Sequence, residues 1–187
     1  MSLSLSSAAH AADSNVVNME VSTGGTVVIT LAPELAPKHV DQIKKLSSEG
    51  FYDGIIFHRV ISGFMAQTGD PTGTGMGGSK YPNIPAEFTQ TEYKRGTVGM
   101  ARSNAPDSAN SQFFICFSDT GCSFLKGQYT VVGQVTSGME FIDKVAVGEP
   151  PAAPDKIVKM TLSGAAPAAT PVDAAPADAT TPPAAAE

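Results

Sequence analysis

With 187 residues, of which 42% are hydrophobic and 16% charged, the chain is long enough for one domain with a substantial core. A net charge of -6, with no basic run longer than Lys44-Lys45, offers nothing to nucleic acid phosphates. No apolar stretch reaches the length needed to cross a bilayer, so neither nucleic acid binding nor membrane insertion is expected.

Residues 1–14 read as a disordered arm or the remnant of a signal peptide. Ala9-His10-Ala11 followed by Ala12 has the small-x-small form of a secretory cleavage site, but Met1 to Ala8 contains no Lys or Arg and no apolar run of export length. A periplasmic protein is the expectation, with a cytoplasmic one as the alternative. The folded domain is expected over residues 15–164. Strands at Val16–Val21 and Thr26–Leu31 flank Ser22-Thr23-Gly24-Gly25, a hairpin signal. Pro37 suits the first turn of a helix running to about Glu49, with Val40, Ile43 and Leu46 as its apolar stripe and Gly50 closing it. Strands follow around Ile55–Ile61, Met65–Thr68, Thr97–Ala101, Phe113–Phe117, Thr130–Val135 and Ile157–Leu162, with a short helix near Met139–Val145. Many strands and two helices that do not alternate with them exclude a βαβ sheet, while the pattern alone leaves barrel and sandwich undecided. Residues 165–187 hold eleven Ala and five Pro in 23 positions, with no aromatic and no Lys or Arg. Such a tail cannot bury enough apolar surface to order itself, and a passive spacer is the expectation.

Several constellations lead nowhere. Gly73-Thr74-Gly75-Met76-Gly77-Gly78 has dinucleotide-fingerprint spacing, but Pro82 and Pro85 stand where the helix should begin, and Ser79-Lys80 breaks the P-loop pattern. A surface loop is expected there. The histidines at 10, 39 and 58 lack metal-ligand spacing, so no metal is expected, nor any cofactor. Ser111 lacks the nucleophile elbow of a hydrolase. His58 is expected as a satisfied core histidine. Cys116 and Cys122 could form a disulfide, but the geometry is demanding and two free thiols are favoured.

One stretch carries chemistry. Phe57-His58-Arg59-Val60-Ile61-Ser62-Gly63-Phe64-Met65-Ala66-Gln67-Thr68-Gly69-Asp70 sets an arginine and a glutamine among apolar residues, and alternation puts Phe57, Arg59 and Ile61 on one face and Met65 and Gln67 on one face of the next strand. With Ser111-Gln112-Phe113-Phe114-Ile115-Cys116-Phe117 downstream, the chain resembles the cyclophilin family of peptidyl-prolyl cis-trans isomerases over roughly Val16 to Ser163. The resemblance implies a mainly β fold, a closed eight-stranded antiparallel β-barrel capped by two α-helices. It also implies isomerisation of X-Pro bonds in peptides and unfolded chains, assisting protein folding, by a monomer without cofactor.

Rotation about an X-Pro bond meets a barrier of roughly 18 to 20 kcal/mol because the nitrogen lone pair is delocalised into the carbonyl. A guanidinium donating to the prolyl nitrogen favours its pyramidal form, in a bond that strengthens only as rotation proceeds. Arg59 is the residue that the resemblance assigns to this task, with Gln67 steadying the substrate carbonyl. Phe64, Met65, Phe114 and Leu125 are implied as walls of the proline pocket, and Ala101, Arg102, Ser103 and Gln112 as the backbone-binding groove. Phe124 and Tyr129 border the pocket where drug-sensitive members carry tryptophan and histidine, so cyclosporin binding is expected to be weak. The competing readings are a module that docks proline-rich segments without catalysis, and an Arg59 occupied only by an ion pair with Asp53 or Glu87.

Overall fold

A computed structural model describes residues 14–163; the expected N-terminal arm and the Pro/Ala-rich tail lie outside the described residues. The first half of the chain lays down β1 (Val16–Val21), β2 (Gly25–Leu31), α1 (Pro37–Ser48), β3 (Arg59–Ile61) and β4 (Met65–Thr68). Next come β5 (Thr97–Met100), β6 (Phe113–Cys116), β7 (Val131–Ser137), the single-turn α2 (Met139–Ile142) and β8 (Ile157–Leu162). One-turn 3-10 helices sit at Pro106–Ser108 and Ser123–Leu125. The strands form one antiparallel sheet in the order β3-β4-β6-β5-β7-β2-β1-β8.

The sheet is an open half-barrel, which corrects the expected closed barrel: β3 and β8 are its two edges and do not pair. The reason lies in the residues before β3. Ile55, Phe57 and Val60 are all buried in the main core. Phe57 and Val60 are three positions apart, and strand alternation cannot send both to one face. The chain therefore leaves regular strand geometry at His58, and the isolated Ile56–Lys156 bridge, with Gly54 N–H donating to Ile157 O, links the residues before β3 to β8 without making a ladder. Phe57 accordingly does not share a face with Arg59, against the sequence expectation.

Burial follows the period of each element. Val17, Met19 and Val21 of β1 and Val27, Ile29 and Leu31 of β2 point into the main core, alternating with more exposed residues. Helix α1 covers it with Val40, Ile43 and Leu46. Its Ala36 N-cap offers no side chain; the Glu87 carboxylate instead accepts from the Lys38 and His39 amides and from His39 Nδ1. Burial pushes the Glu87 carboxyl up, and these donors outweigh it, so its pKa falls below the usual value.

The central strands are different. Every residue of β5 and β6 is buried, because a second apolar cluster covers their other face: Met65, Tyr93, Phe114, Cys116, Cys122, Leu125 and Val131. Cys116 and Cys122 are disulfide-bonded within it, with Cα atoms 6.1 Å apart, which corrects the expectation of free thiols. The turn through Ser118, closed by Gly121 N–H donating to Ser118 Oγ, brings Cys122 back over the end of β6 and buries both sulfurs.

Candidate functional site

Residues directly opposite one another on paired strands share a face. The register places Arg59 opposite Gln67, Gln67 opposite Phe114, and Phe114 opposite Gly99. The four therefore form one row across β3, β4, β6 and β5, on the face away from the main core. Ile61, Met65 and Cys116 form the neighbouring row on that face. Gly99 is what lets Phe114 lie down: a Cβ there would stand 2.5 Å from the Phe114 ring and 2.8 Å from the Tyr93 hydroxyl. Phe114 stacks on Tyr93 with centroids 6.0 Å apart and meets Tyr129 edge-on at 5.9 Å.

Above these rows is a pocket of about 120 Å³ lined by Arg59, Phe64, Met65, Gln67, Ala101, Arg102, Phe114, Leu125 and Tyr129. Nine of the twelve expected site residues thus meet in one cavity. Phe124 lies at its rim, 61% exposed, with its ring tilted against Phe64 at 5.4 Å. Ser103 and Gln112 line a more polar groove of about 550 Å³ that continues from Gln67, Ala101 and Arg102 along Gly75 to Ser79.

The polar groups are fixed by identifiable partners. Gln67 Nε2 donates to Gln112 Oε1 at 2.8 Å, and Gln112 Nε2 donates to the carbonyls of Gly75 and Gly77. This relay ties the pocket to the glycine-rich loop. Arg102 donates to the carbonyls of Gln128 and Ser103 and lies 4.5 Å over the Tyr129 ring. Arg59 Nε donates to Glu149, and both side chains are near half-exposed. Asp53 and Glu87, the carboxylates expected to compete for Arg59, are engaged elsewhere: Asp53 accepts from Met160 N–H, and Glu87 caps α1.

Behind the loop stands Asp70, buried, accepting the amides of Thr72, Thr74, Gly75 and Gly77 and the Thr72 hydroxyl. Burial pushes its carboxyl up, but the Thr72 hydroxyl and amide, with Gly77 and Gly75, outweigh it and bring the pKa to about 2. His58 is buried as expected but not satisfied, since neither ring nitrogen has a hydrogen-bond partner among the described residues. Burial pushes its pKa below the ordinary value, against the opposing pull of the Asp70 carboxylate. Asp70 and Glu149 escaped the sequence reasoning. An Asp ahead of Pro71-Thr72-Gly73 is a local turn signal that could have marked the first; nothing local connects Glu149 with a residue 90 positions away. Among the described residues no cluster of three or more His, Cys, Asp or Glu could hold a metal ion.

Chemically, the site offers a donor-rich guanidinium and an amide at the lip of an apolar pocket, and no nucleophile with a base. Such a place can bind an apolar ring and donate to a polar atom beside it.

Comparison with known proteins agrees. Residues 16–162 match the family profile described as cyclophilin type peptidyl-prolyl cis-trans isomerase/CLD. A probable peptidyl-prolyl cis-trans isomerase of Brucella suis is 54% identical over 154 residues, covering 74% of this chain and 78% of that protein. Peptidyl-prolyl cis-trans isomerase B of Bacillus subtilis is 42% identical over 127 residues, covering 67% and 87%. Among solved structures, a cyclophilin from Hirschia baltica superposes with a TM-score of 0.72 at 31% identity, over 80% of this chain and 74% of that one. A cyclophilin type isomerase of Cryptosporidium parvum, solved in the presence of the dipeptide Ala-Pro, gives 0.71 at 29% identity, over 79% and 98%. Sequence and fold converge, and the chain belongs to the cyclophilin-type peptidyl-prolyl cis-trans isomerases.

Proposed function

We propose that this isomerase takes the proline ring of a peptide or unfolded chain between Phe64, Met65, Phe114 and Leu125, and that Arg59 donates to the prolyl nitrogen as the bond rotates. The observation that carries the reading is the row Arg59–Gln67–Phe114, which sets one cationic donor and one amide beside the aromatic floor of the pocket. The planar fork of an arginine presents fixed donors, which a lysine would not. Binding of the ring is common to ground and transition states, whereas the bond to nitrogen gains strength as the lone pair localises; the second interaction is the one that raises the rate. Each tenfold in rate corresponds to about 1.4 kcal/mol of such differential stabilisation. Gln67, held by Gln112, steadies the carbonyl, and Ala101, Arg102 and Ser103 bind the flanking backbone. The Cryptosporidium relative solved with Ala-Pro supports a proline-containing ligand. A non-catalytic docking module would have no use for a guanidinium at the ring's edge.

The test is a coupled proteolysis assay on a cis-proline peptide. The wild-type chain should accelerate the slow phase in proportion to its concentration, and an unaccelerated slow phase would refute the reading.

We further infer export to the periplasm, on the small-x-small site at Ala9–Ala11 and on the Cys116–Cys122 disulfide, a bond that persists in oxidising compartments, and a monomer, since one chain supplies all the residues that line the pocket. Mass spectrometry of protein from its native cells should find Ala12 at the N-terminus; an intact Met1 or Ser2 would place it in the cytoplasm instead.

A further inference from the structure

We infer that Glu149 is a positioning residue for Arg59, the built-in partner that orients the guanidinium and leaves its outer edge for substrate; the inference rests on the reading of Arg59 given above. The ion pair is not an accident of two long side chains meeting. Val60 and Gly148 form an isolated antiparallel bridge, with Val60 N–H donating to Gly148 O at 2.8 Å and Gly148 N–H to Val60 O at 2.9 Å. In that register residue 59 stands directly opposite residue 149. Backbone pairing therefore dictates the contact, as for opposite charges facing one another across two strands. The row that runs from Arg59 through Gln67 and Phe114 to Gly99 gains a fifth member at its Arg59 end, and Arg59 is flanked by Glu149 on one side and Gln67 on the other.

The segment that presents Glu149 is itself fastened. Asp155 accepts from the Ala146 amide and from the Ser22 hydroxyl, and its carbonyl accepts from Phe57 N–H, which closes residues 146–155 into a strap against the β3 edge. Gly148 makes the approach possible. Its φ of +153° and a clearance of 2.5 Å between an added Cβ and Pro151 Cα leave no room for another residue.

The division of the guanidinium follows from the atoms used. Nε donates to Glu149 Oε1, while neither Nη has a hydrogen-bond partner among the described residues. One edge of the fork is anchored, and the other is left to donate at the pocket that Arg59 lines. A free arginine side chain samples many rotamers, and holding it in the reactive one reduces the ordering that must accompany catalysis. Because the pair is half-exposed, the expected gain is modest.

The experiment measures kcat and KM for a cis-proline peptide on the full chain with Glu149→Gln and Glu149→Ala, each alone and combined with Arg59→Ala. The Arg59 Nε–H resonance is followed by NMR. Glu149→Ala should lower kcat by about two- to fivefold with KM nearly unchanged, broaden or shift the Nε–H resonance, and have no further effect once Arg59 is alanine. Glu149→Gln keeps an acceptor oxygen and should retain more of the rate. Wild-type kcat in both variants, a raised kcat, or a loss that persists in the Arg59→Ala background would overturn the inference. If the wild type proved inactive, the assignment of Arg59 would fall, while the Nε–H resonance would still report whether the pair forms.

Discussion

The two halves of the sheet are built on different terms. In β1, β2 and β8 one face is buried and the other more exposed, so Val17, Met19 and Val21 alternate with more polar neighbours and each residue serves a single layer. In β4, β5 and β6 both faces are covered. Ala66, Val98 and Ile115 pack into the main core, and Met65, Phe114 and Cys116 pack on the opposite side, beneath the pocket. The cavity that gathers the expected site residues accordingly rests on a second, smaller apolar cluster, separated from the main core by one sheet. Arg59 and Gln67 stand on this second face, and their neighbours Val60 and Ala66 on the first. Expected site residues and core residues thus alternate one by one along β3 and β4.

The sharpest way to break the comparison is to cut the main core. Phe113, 1% exposed and edge-on to Tyr52, lies beside Phe114 in the chain but on the opposite face of β6. Phe113→Ala should cost about 3 to 5 kcal/mol of stability, read by urea unfolding, while the fraction that stays folded keeps its isomerase rate. A mutant as stable as the wild type would show that the two faces are not distinct layers.

Asp70 joins the two regions, since it folds the loop that Gln112 connects to Gln67. Its carboxyl is held at about 2, below its ordinary 3.8, so the folded state binds the proton less readily than the unfolded state. The resulting stability is complete above about pH 4 and is lost as pH falls towards 2, amounting to roughly 2 kcal/mol. Asp70→Asn should lower stability at neutral pH and flatten the acid limb of the unfolding curve. An unchanged acid limb would show that the nest of amides contributes nothing.

A smaller effect sharpens the outer edge of the site. Phe124 lies at the rim and carries no donor, and cyclosporin should inhibit weakly. Phe124→Trp, which adds an indole N–H and contact area, should tighten the drug by roughly 1 to 3 kcal/mol and change peptide isomerisation far less. A titration showing tight inhibition of the wild type, or no gain in the mutant, would remove position 124 from the drug surface.

What could be read from the sequence divides along the same line. The one-face strands β1 and β8 were legible with their bounds, because hydrophobic period and turn glycines both survive in a linear pattern. Where both faces are buried the pattern carries no period, and residues 113–117 were recognisable as strand without revealing which side chains faced the pocket. The site residues came from motif resemblance, and the structure brings nine of them to one cavity. The errors have long-range causes. Alternation through His58 predicts one strand over Ile55–Ile61, whereas Phe57 and Val60 both turn to the main core. The demanding geometry of a disulfide favours free thiols at Cys116 and Cys122, and no local signal shows that residues 117–121 fold back to meet it. The barrel stays open at the same segment, since β3 is only three residues long and the links to β8 lie before it, at the Ile56–Lys156 bridge and the Gly54–Ile157 bond.

The central claim, that catalysis resides in the row on the outer face and stability in the core beneath it, is tested most directly by Arg59→Ala. Isomerisation of a cis-proline peptide and the melting temperature are measured on the same preparation. Arg59→Ala should lower the rate at least about tenfold with melting nearly unchanged, because the Arg59 side chain is near half-exposed. A fully active mutant, or one that loses its fold, would contradict it.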